Sequence, residues 1–211
     1  MPVTKLFILG NLTVQSSWVA FMVACVVAYC AVRMRFGKRH AERLSDALFT
    51  VLIVWKFSVI LTDFSTVIQS PLTLIYFHGG AFGFILGVLF VIGKSIVERK
   101  RKPLDTTGLW AMFTGAVTVQ VVYQVLMVLL NEGERLAQLV TVILFVVFAV
   151  FFWVHTGKVG EWFWQLALLF MAVHMFVAAF QPEGLSGTSF IVTAIIGVFF
   201  VVHGRRLEER L

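Results

Sequence analysis

Charge is scarce in this chain. Asp, Glu, Lys and Arg make up 13% of its 211 residues, about half the roughly 25% of soluble domains. Apolar residues reach 60%, against roughly 45–50% in soluble domains. Together these values exclude a water-soluble fold. Cysteine is nearly absent: Cys25 and Cys30 are the only two, five positions apart in one apolar run. They have no disulfide, zinc or haem spacing and read as small packing residues. Period-2 alternation is lacking as well, which argues against a transmembrane barrel. In lipid the remaining way to satisfy every backbone group is the α-helix. The chain therefore reads as an all-α, polytopic membrane helix bundle forming one transmembrane domain over residues 1–211.

What is present is a series of apolar runs of membrane-spanning length, about 20 residues each. Seven are predicted: Ser17–Val32, Leu44–Thr62, Leu72–Gly93, Leu109–Leu130, Leu136–Val154, Trp162–Phe180 and Thr188–Val202. Lys56 interrupts the second. The Met22-Val23-Ala24-Cys25 segment approaches a lipoprotein signal, but a secretory signal carries its positive charges ahead of its apolar core. Here they follow it, and the run reads as an uncleaved first helix. Phe supplies 22 residues, a composition suited to a lipid-facing surface.

Basic residues fix the orientation. Arg33, Arg35, Lys38, Arg39 and Arg43 fill the first connection, and Lys94, Arg99, Lys100, Arg101 and Lys102 the third. Lys158 lies in the fifth, and Arg205, Arg206 and Arg210 in the tail. Fourteen of the 17 basic residues thus fall on one side, the exceptions being Lys5, Lys56 and Arg135. Cytoplasmic loops carry the excess of Lys and Arg, so the N-terminus is expected outside and the C-terminus inside. The same rule explains a pI near 9.7 without nucleic acid, and no nucleic-acid partner is expected.

Polar groups inside spans are costly and are functional candidates for that reason. Lys56, Gln120, Tyr123, Gln124 and His174 all fall seven to eleven residues from the first residue of the outer connection that follows their spans (Asp63, Asn131 or Gln181). His78, with Tyr76 beside it, follows an outer connection directly. These positions are on the order of 10–15 Å below the outer surface at the helical rise. Each has a plainer reading: Lys56 can snorkel to the surface, and Gln120 and Gln124 can bond neighbouring helices. His155 and His203, at inner ends, are ordinary interfacial histidines. Most informative is His78-Gly79-Gly80-Ala81-Phe82-Gly83. Glycines there permit close backbone approach and leave amide donors to an anion, beside a histidine able to act as a base. The alternative is a glycine-lined helix contact. No local spacing of histidines suits a metal, and no cofactor is implied.

The topology, together with Phe77-His78-Gly79-Gly80-Ala81-Phe82-Gly83, resembles the bacterial prolipoprotein diacylglyceryl transferases. The resemblance extends to Leu9-Gly10-Asn11-Leu12-Thr13-Val14 ahead of the first span and to Pro71-Leu72 before the third. It covers most of Leu9–Gly93; beyond Gly108 it rests on hydropathy and spacing. It implies a bacterial cytoplasmic membrane enzyme that moves a diacylglyceryl group from phosphatidylglycerol to the cysteine thiol of a lipoprotein precursor. By the same resemblance His78 is the base, while Lys56 and a protonated His174 receive the phosphate where the family has arginines. Gly79, Gly80, Tyr76, Gln120, Tyr123 and Gln124 are then the substrate-binding positions. The family's Arg-Ile-Gly-Asn-Phe signature is absent, with Gln120 and Tyr123 aligned to its Arg and Asn. His174 and Ala178 stand at a further Arg and Glu, and Trp18 at a Tyr. Arginine holds phosphate bidentately and stays charged, whereas histidine near neutral pH is charged only in part. A non-catalytic relative that binds phospholipid or a lipoprotein-like partner is therefore the alternative. A transporter or a membrane-complex subunit is a third reading, without the broken helices or inverted repeats common in transporters.

Overall fold

The computed structural model describes residues 3–9, 12–70, 74, 77–101, 106–157 and 162–208. The elements are strands β1 (Leu6–Leu9) and β2 (Leu12–Gln15), then helices α1 (Ser16–Phe36), α2 (Lys38–Phe57), α3 (Val59–Thr62) and α4 (Phe64–Gln69). They continue with α5 (Gly80–Arg101), α6 (Thr106–Leu130), α7 (Arg135–His155), α8 (Phe163–Ala179), a 3-10 turn at Gly184–Ser186, and α9 (Thr188–Glu208). Six helical segments are long and apolar enough to cross a membrane, and α8, at 17 residues, is a shorter apolar helix. Seventeen residues is the lower end of spanning length, about 17–25. The protein is a multi-pass helical membrane protein.

The chain divides into two compact units, Met1–Glu42 with Asp105–Leu211, and Arg43–Leu104. The first holds the hairpin, four of the long helices (α1, α6, α7 and α9) and the shorter α8. In α1, Ser16, Ala20, Ala24, Ala28 and Val32 recur every four residues and are fully buried. This small-residue stripe lets backbones approach closely, which is how helices associate in lipid without a hydrophobic driving force. Its principal partner is α6. At the other end of α1, the Arg35 guanidinium donates to Thr156 O at 2.6 Å and lies 4.8 Å from the centre of the Trp153 ring.

Phenylalanine serves both surface and core: Phe49, Phe57, Phe82, Phe90 and Phe176 are among those exposed, as a lipid-facing role requires, while others build the interior. Phe113, Phe145, Phe148, Phe152, Phe163, Phe170 and Phe200 are buried together with Trp110. Phe113 lies at the centre, with ring centroids 5.1 Å from Phe152, 5.1 Å from Phe163 and 4.7 Å from Phe200. Aromatic rings pack tightly in edge-to-face and offset geometries, so they supply a rigid interior where helices present few polar groups. The lipid-facing surface falls partly to other residues. On α7, Leu136, Leu139, Ile143, Val146, Val147, Val150 and Val154 are exposed, a stripe at helical spacing, while Ala137, Thr141, Phe145, Phe148 and Phe152 turn inward.

The N-terminal hairpin was not legible as strands. β1 and β2 pair antiparallel, from Leu6↔Gln15 to Leu9↔Leu12, and Asn131 at the end of α6 ties the segment down. Its Oδ1 accepts from Thr4 N at 2.8 Å and from Ser16 Oγ at 2.7 Å, and Thr4 Oγ1 accepts from Glu132 N at 2.8 Å.

The second unit holds the body of α2, then α3, α4 and α5. Two boundaries differ from the sequence expectation. α2 begins at Lys38, with only Gly37 between it and α1, so most of the first basic connection is helical. Gly37 adopts φ +84° and donates its amide to Arg33 O at 3.1 Å, a reversal that glycine makes without steric cost. The third span was expected from Leu72 to Gly93. Leu72 lies outside the described residues, and the helix runs from Gly80 to Arg101. Its inner end continues past Gly93 through Lys94 and Glu98, 3.8 Å apart one turn on, because charged residues at that depth reach the head groups.

Candidate functional site

In the second unit, His78 sits two residues ahead of α5, held from α2. Its ring lies 4.4 Å from that of Trp55, tilted by 31°. Trp55 Nε1–H donates to Gly80 O at 2.9 Å, and Trp55 O accepts from Gly79 N at 3.1 Å. Gly80 N–H in turn donates to His78 Nδ1 at 3.0 Å. The neutral ring therefore carries its proton on Nε2.

The glycines have a steric origin. A Cβ on Gly79 or Gly83 would collide with the Ser58 side chain, and one on Gly87 would stand 2.8 Å from Val51 O. Ser58 is buried and donates to Trp55 O at 2.7 Å. The stripe Gly79, Gly83, Gly87 thus makes room for α2, the glycine-lined contact weighed from the sequence. Gly80 adopts φ +57°, and its amide donates back onto the histidine. The amides of Gly79 and Gly80 are spent inside the protein, so neither is left to an anion. Those of Ala81 and Phe82, next in the helix, bond no described residue. Lys56 is half-buried on α2. Partial burial, and then the charge of Lys56, lower the pKa of His78 from its ordinary value, so the imidazole is neutral at pH 7. Tyr76 lies outside the described residues.

A separate polar cluster occupies the five-helix unit. His174 of α8 is completely buried. Its Nε2 lies 3.1 Å from Gln124 Nε2 and its Nδ1 2.7 Å from Thr193 Oγ1. With the Gln124 amide donating to Nε2, the neutral ring holds its proton on Nδ1 and donates it to Thr193. Gln120 Nε2, 3.5 Å from Nδ1, is too distant for a bond and donates instead to Ser189 Oγ. Gln124 Nε2 also donates to Ser189 Oγ at 2.6 Å. Gln124 Oε1 accepts from Gln181 Nε2 at 3.2 Å, and Gln181 reaches Thr141 Oγ1 at 3.4 Å. Phe145 and Phe190 present ring edges to the histidine, with centroids 5.3 and 5.7 Å away.

This network brings together Gln120, Gln124 and His174, as the sequence suggested, and leaves out Tyr123, which is half-buried and bonds no described residue. It is neutral as bonded, and both ring nitrogens of His174 are engaged by protein. Sequence reading missed four members, Thr141, Gln181, Ser189 and Thr193. Hydroxyl residues are common in membrane helices and carry no signal alone, although Ser189 and Thr193 stand four apart on one helix face. Trp55 was missed in the other cluster, since nothing local links it to residues more than twenty positions on. His78, Lys56, Gly79 and Gly80 belong to one unit, and His174, Gln120, Tyr123 and Gln124 to the other. No group of three or more His, Cys, Asp or Glu that could hold a metal ion occurs among the described residues.

No protein-family model matches the chain, and comparison with functionally curated proteins yields no significant relative.

Proposed function

We propose that this protein is a lipid-modifying membrane transferase of the diacylglyceryl type, using phosphatidylglycerol at His78 and a lipoprotein cysteine as acceptor. The orientation read from the basic residues supports an outer-side location for His78, and in the bacterial cytoplasmic membrane that the resemblance implies this is the side where lipoprotein precursors emerge. The observation that carries the reading is the setting of His78 itself. A neutral imidazole with Nε2–H, the Lys56 charge and two uncommitted amides at the start of α5 together favour a phosphate-bearing headgroup. In the transfer, a bond forms between the cysteine sulfur and the glyceryl carbon. The carbon–oxygen bond to phosphate breaks with its electron pair on the oxygen, and the thiol proton leaves with the released glycerol phosphate. Donors aimed at that oxygen stabilise the charge it develops.

A second reading, a relative that binds phosphatidylglycerol without turning it over, is favoured by one specific observation. The Nδ1 lone pair of His78 is occupied by the Gly80 amide, and the neutral ring has no second lone pair with which to deprotonate a thiol. Both readings meet one experiment. Purified protein is mixed with phosphatidylglycerol and a peptide carrying a lipobox cysteine, and mass spectrometry follows the peptide, with His78→Ala as control. A diacylglyceryl mass gain lost in the variant supports the transferase. Co-purifying phosphatidylglycerol without any gain supports the binder, and the absence of both mass gain and bound lipid overturns both readings.

A further inference from the structure

We propose that the C-terminal end of α7 binds one anionic phospholipid, its phosphate held by Arg35 and one acyl chain laid along the apolar surface of the helix. A shallow groove of about 430 Å³ runs along α7, lined by Val146, Val147, Val150, Phe151, Val154 and His155. Valine supplies most of the lining, and its methyl groups offer a hydrocarbon chain contact without any polar atom. From Val146 to His155 the helix rises roughly 14 Å, close to half of the ~30 Å hydrocarbon core. That is the reach of one chain within one leaflet. The groove ends where a head group belongs. Trp153 and Trp162 are both exposed there, and tryptophan concentrates at the membrane–water boundary. The Trp162 ring lies 5.0 Å from that of His155, which in turn lies 4.2 Å from that of Phe151.

Charge selects the head group. Arg35 of α1 reaches this end of α7, with its guanidinium 4.8 Å from the centre of the Trp153 ring and donating to Thr156 O at 2.6 Å. Capping the helix in this way takes one of its five N–H groups. Arg35 makes no ion pair with a described residue, so its charge is not neutralised within the described protein. Arg33, Lys38 and Arg39 lie close by in sequence, and no Asp or Glu occurs between Arg33 and Arg39 or between Val150 and Gly157. A guanidinium pinned by a carbonyl and a tryptophan face loses little freedom on binding, and its planar fork matches two phosphate oxygens. The site shares no residue with His78 and its neighbours.

The test locates the lipid directly. Full-length protein is placed in phosphatidylcholine nanodiscs with a trace of diazirine-bearing phosphatidic acid or, in parallel, phosphatidylcholine of identical chains. After irradiation, peptide mass spectrometry maps the label. Residues 146–155 are expected to take about fivefold more label from phosphatidic acid, the equivalent of the roughly 1 kcal/mol that one basic residue contributes near an anionic surface. Arg35→Gln is expected to reduce that label to the phosphatidylcholine level, and Arg35→Lys to keep most of it. Val150→Trp, which fills the groove and leaves Arg35 in place, is expected to displace both lipids. Unchanged phosphatidylcholine labelling in Arg35→Gln serves as the folding control. Equal labelling by the two lipids in wild type overturns the proposal whether or not the variants fold. An undiminished preference in folded Arg35→Gln, or undiminished label in Val150→Trp, overturns it as well. Absence of label from either lipid does so too, and shows that protein, such as a second copy of this chain, covers the face. Phosphatidic acid is not the donor in the proposed transfer, so none of these results bears on His78.

Discussion

Asn131 Oδ1 accepts a hydrogen bond from Ser16 Oγ at 2.7 Å across 115 positions of sequence, joining the last turn of α6 to the first residue of α1. The same oxygen takes the amides of Thr4 and Lys5, and Asn131 Nδ2 returns to Met127 O at 3.0 Å. One buried amide therefore seats the whole N-terminal segment. Asn131→Ala removes an acceptor shared by Thr4, Lys5 and Ser16, and leaving the buried Ser16 hydroxyl unsatisfied costs about 1–3 kcal/mol. The expected outcome is a lower melting temperature in detergent and faster tryptic cleavage at Lys5. Asn131→Asp keeps the acceptor and is expected to lose less.

The glycine stripe of α5 gives a steric prediction. Gly79→Ala and Gly83→Ala each drive a methyl group into Ser58, and overpacking of this kind costs about 1–3 kcal/mol. Ser58→Gly in the same chain relieves the collision and is expected to restore part of the loss in a thermal-unfolding assay. Equal destabilisation with and without Ser58→Gly would show that the contact is not what limits these positions.

His174 is predicted to act on stability before anything else. His174→Leu strands the buried Thr193 hydroxyl and removes one partner of Gln124, at a cost of about 1–3 kcal/mol. Because the partners are coupled, His174→Leu with Gln124→Leu is expected to cost less than the two single changes added together. Denaturant unfolding in mixed micelles measures this. A variant of unchanged stability that has lost diacylglyceryl transfer would instead put His174 on the substrate.

The lowered pKa of His78 sets a direction for pH. Its folded-state value lies below the ordinary value, about 6.5, so the unfolded chain takes up the proton first. The contribution of the neutral histidine is complete above the ordinary value and declines as pH falls from there towards the lowered one. Melting curves recorded between pH 7.5 and 5 should show wild type losing more stability than His78→Gln. Parallel curves would remove His78 from the pH dependence.

Orientation is open to a labelling experiment. With Cys25→Ala and Cys30→Ala as background, Ser186→Cys in the turn before α9 is expected to react with a membrane-impermeant maleimide on intact cells. Gly157→Cys, beyond the end of α7, is expected to react only after permeabilisation. The reversed pattern would invert the topology.

What the sequence determined by itself is the class of molecule and the rough course of the chain. Low charge and apolar runs of spanning length are one-dimensional properties, and lipid leaves a backbone so few options that they translate directly into helices. The side expected for each connection comes from the basic residues just as directly. Gln120, Gln124 and His174 were legible as candidates because polar groups inside apolar helices stand out, and His78-Gly79-Gly80 because glycine pairs beside histidine do.

Tertiary structure alone decided what those residues do. The hairpin of Leu6–Leu9 with Leu12–Gln15 is too short to carry a periodic signal, and its stability comes from Asn131 at the far end of another helix. Whether phenylalanine faces lipid or core cannot be told from composition, because both environments are apolar; only packing around Phe113 separates them. The partners of His174 and of His78 depend on angstrom-scale placement of Thr193, Gln124, Gly80 and Trp55. Hydrogen bonds act over about 3 Å and only along particular directions, and no spacing along the chain encodes either.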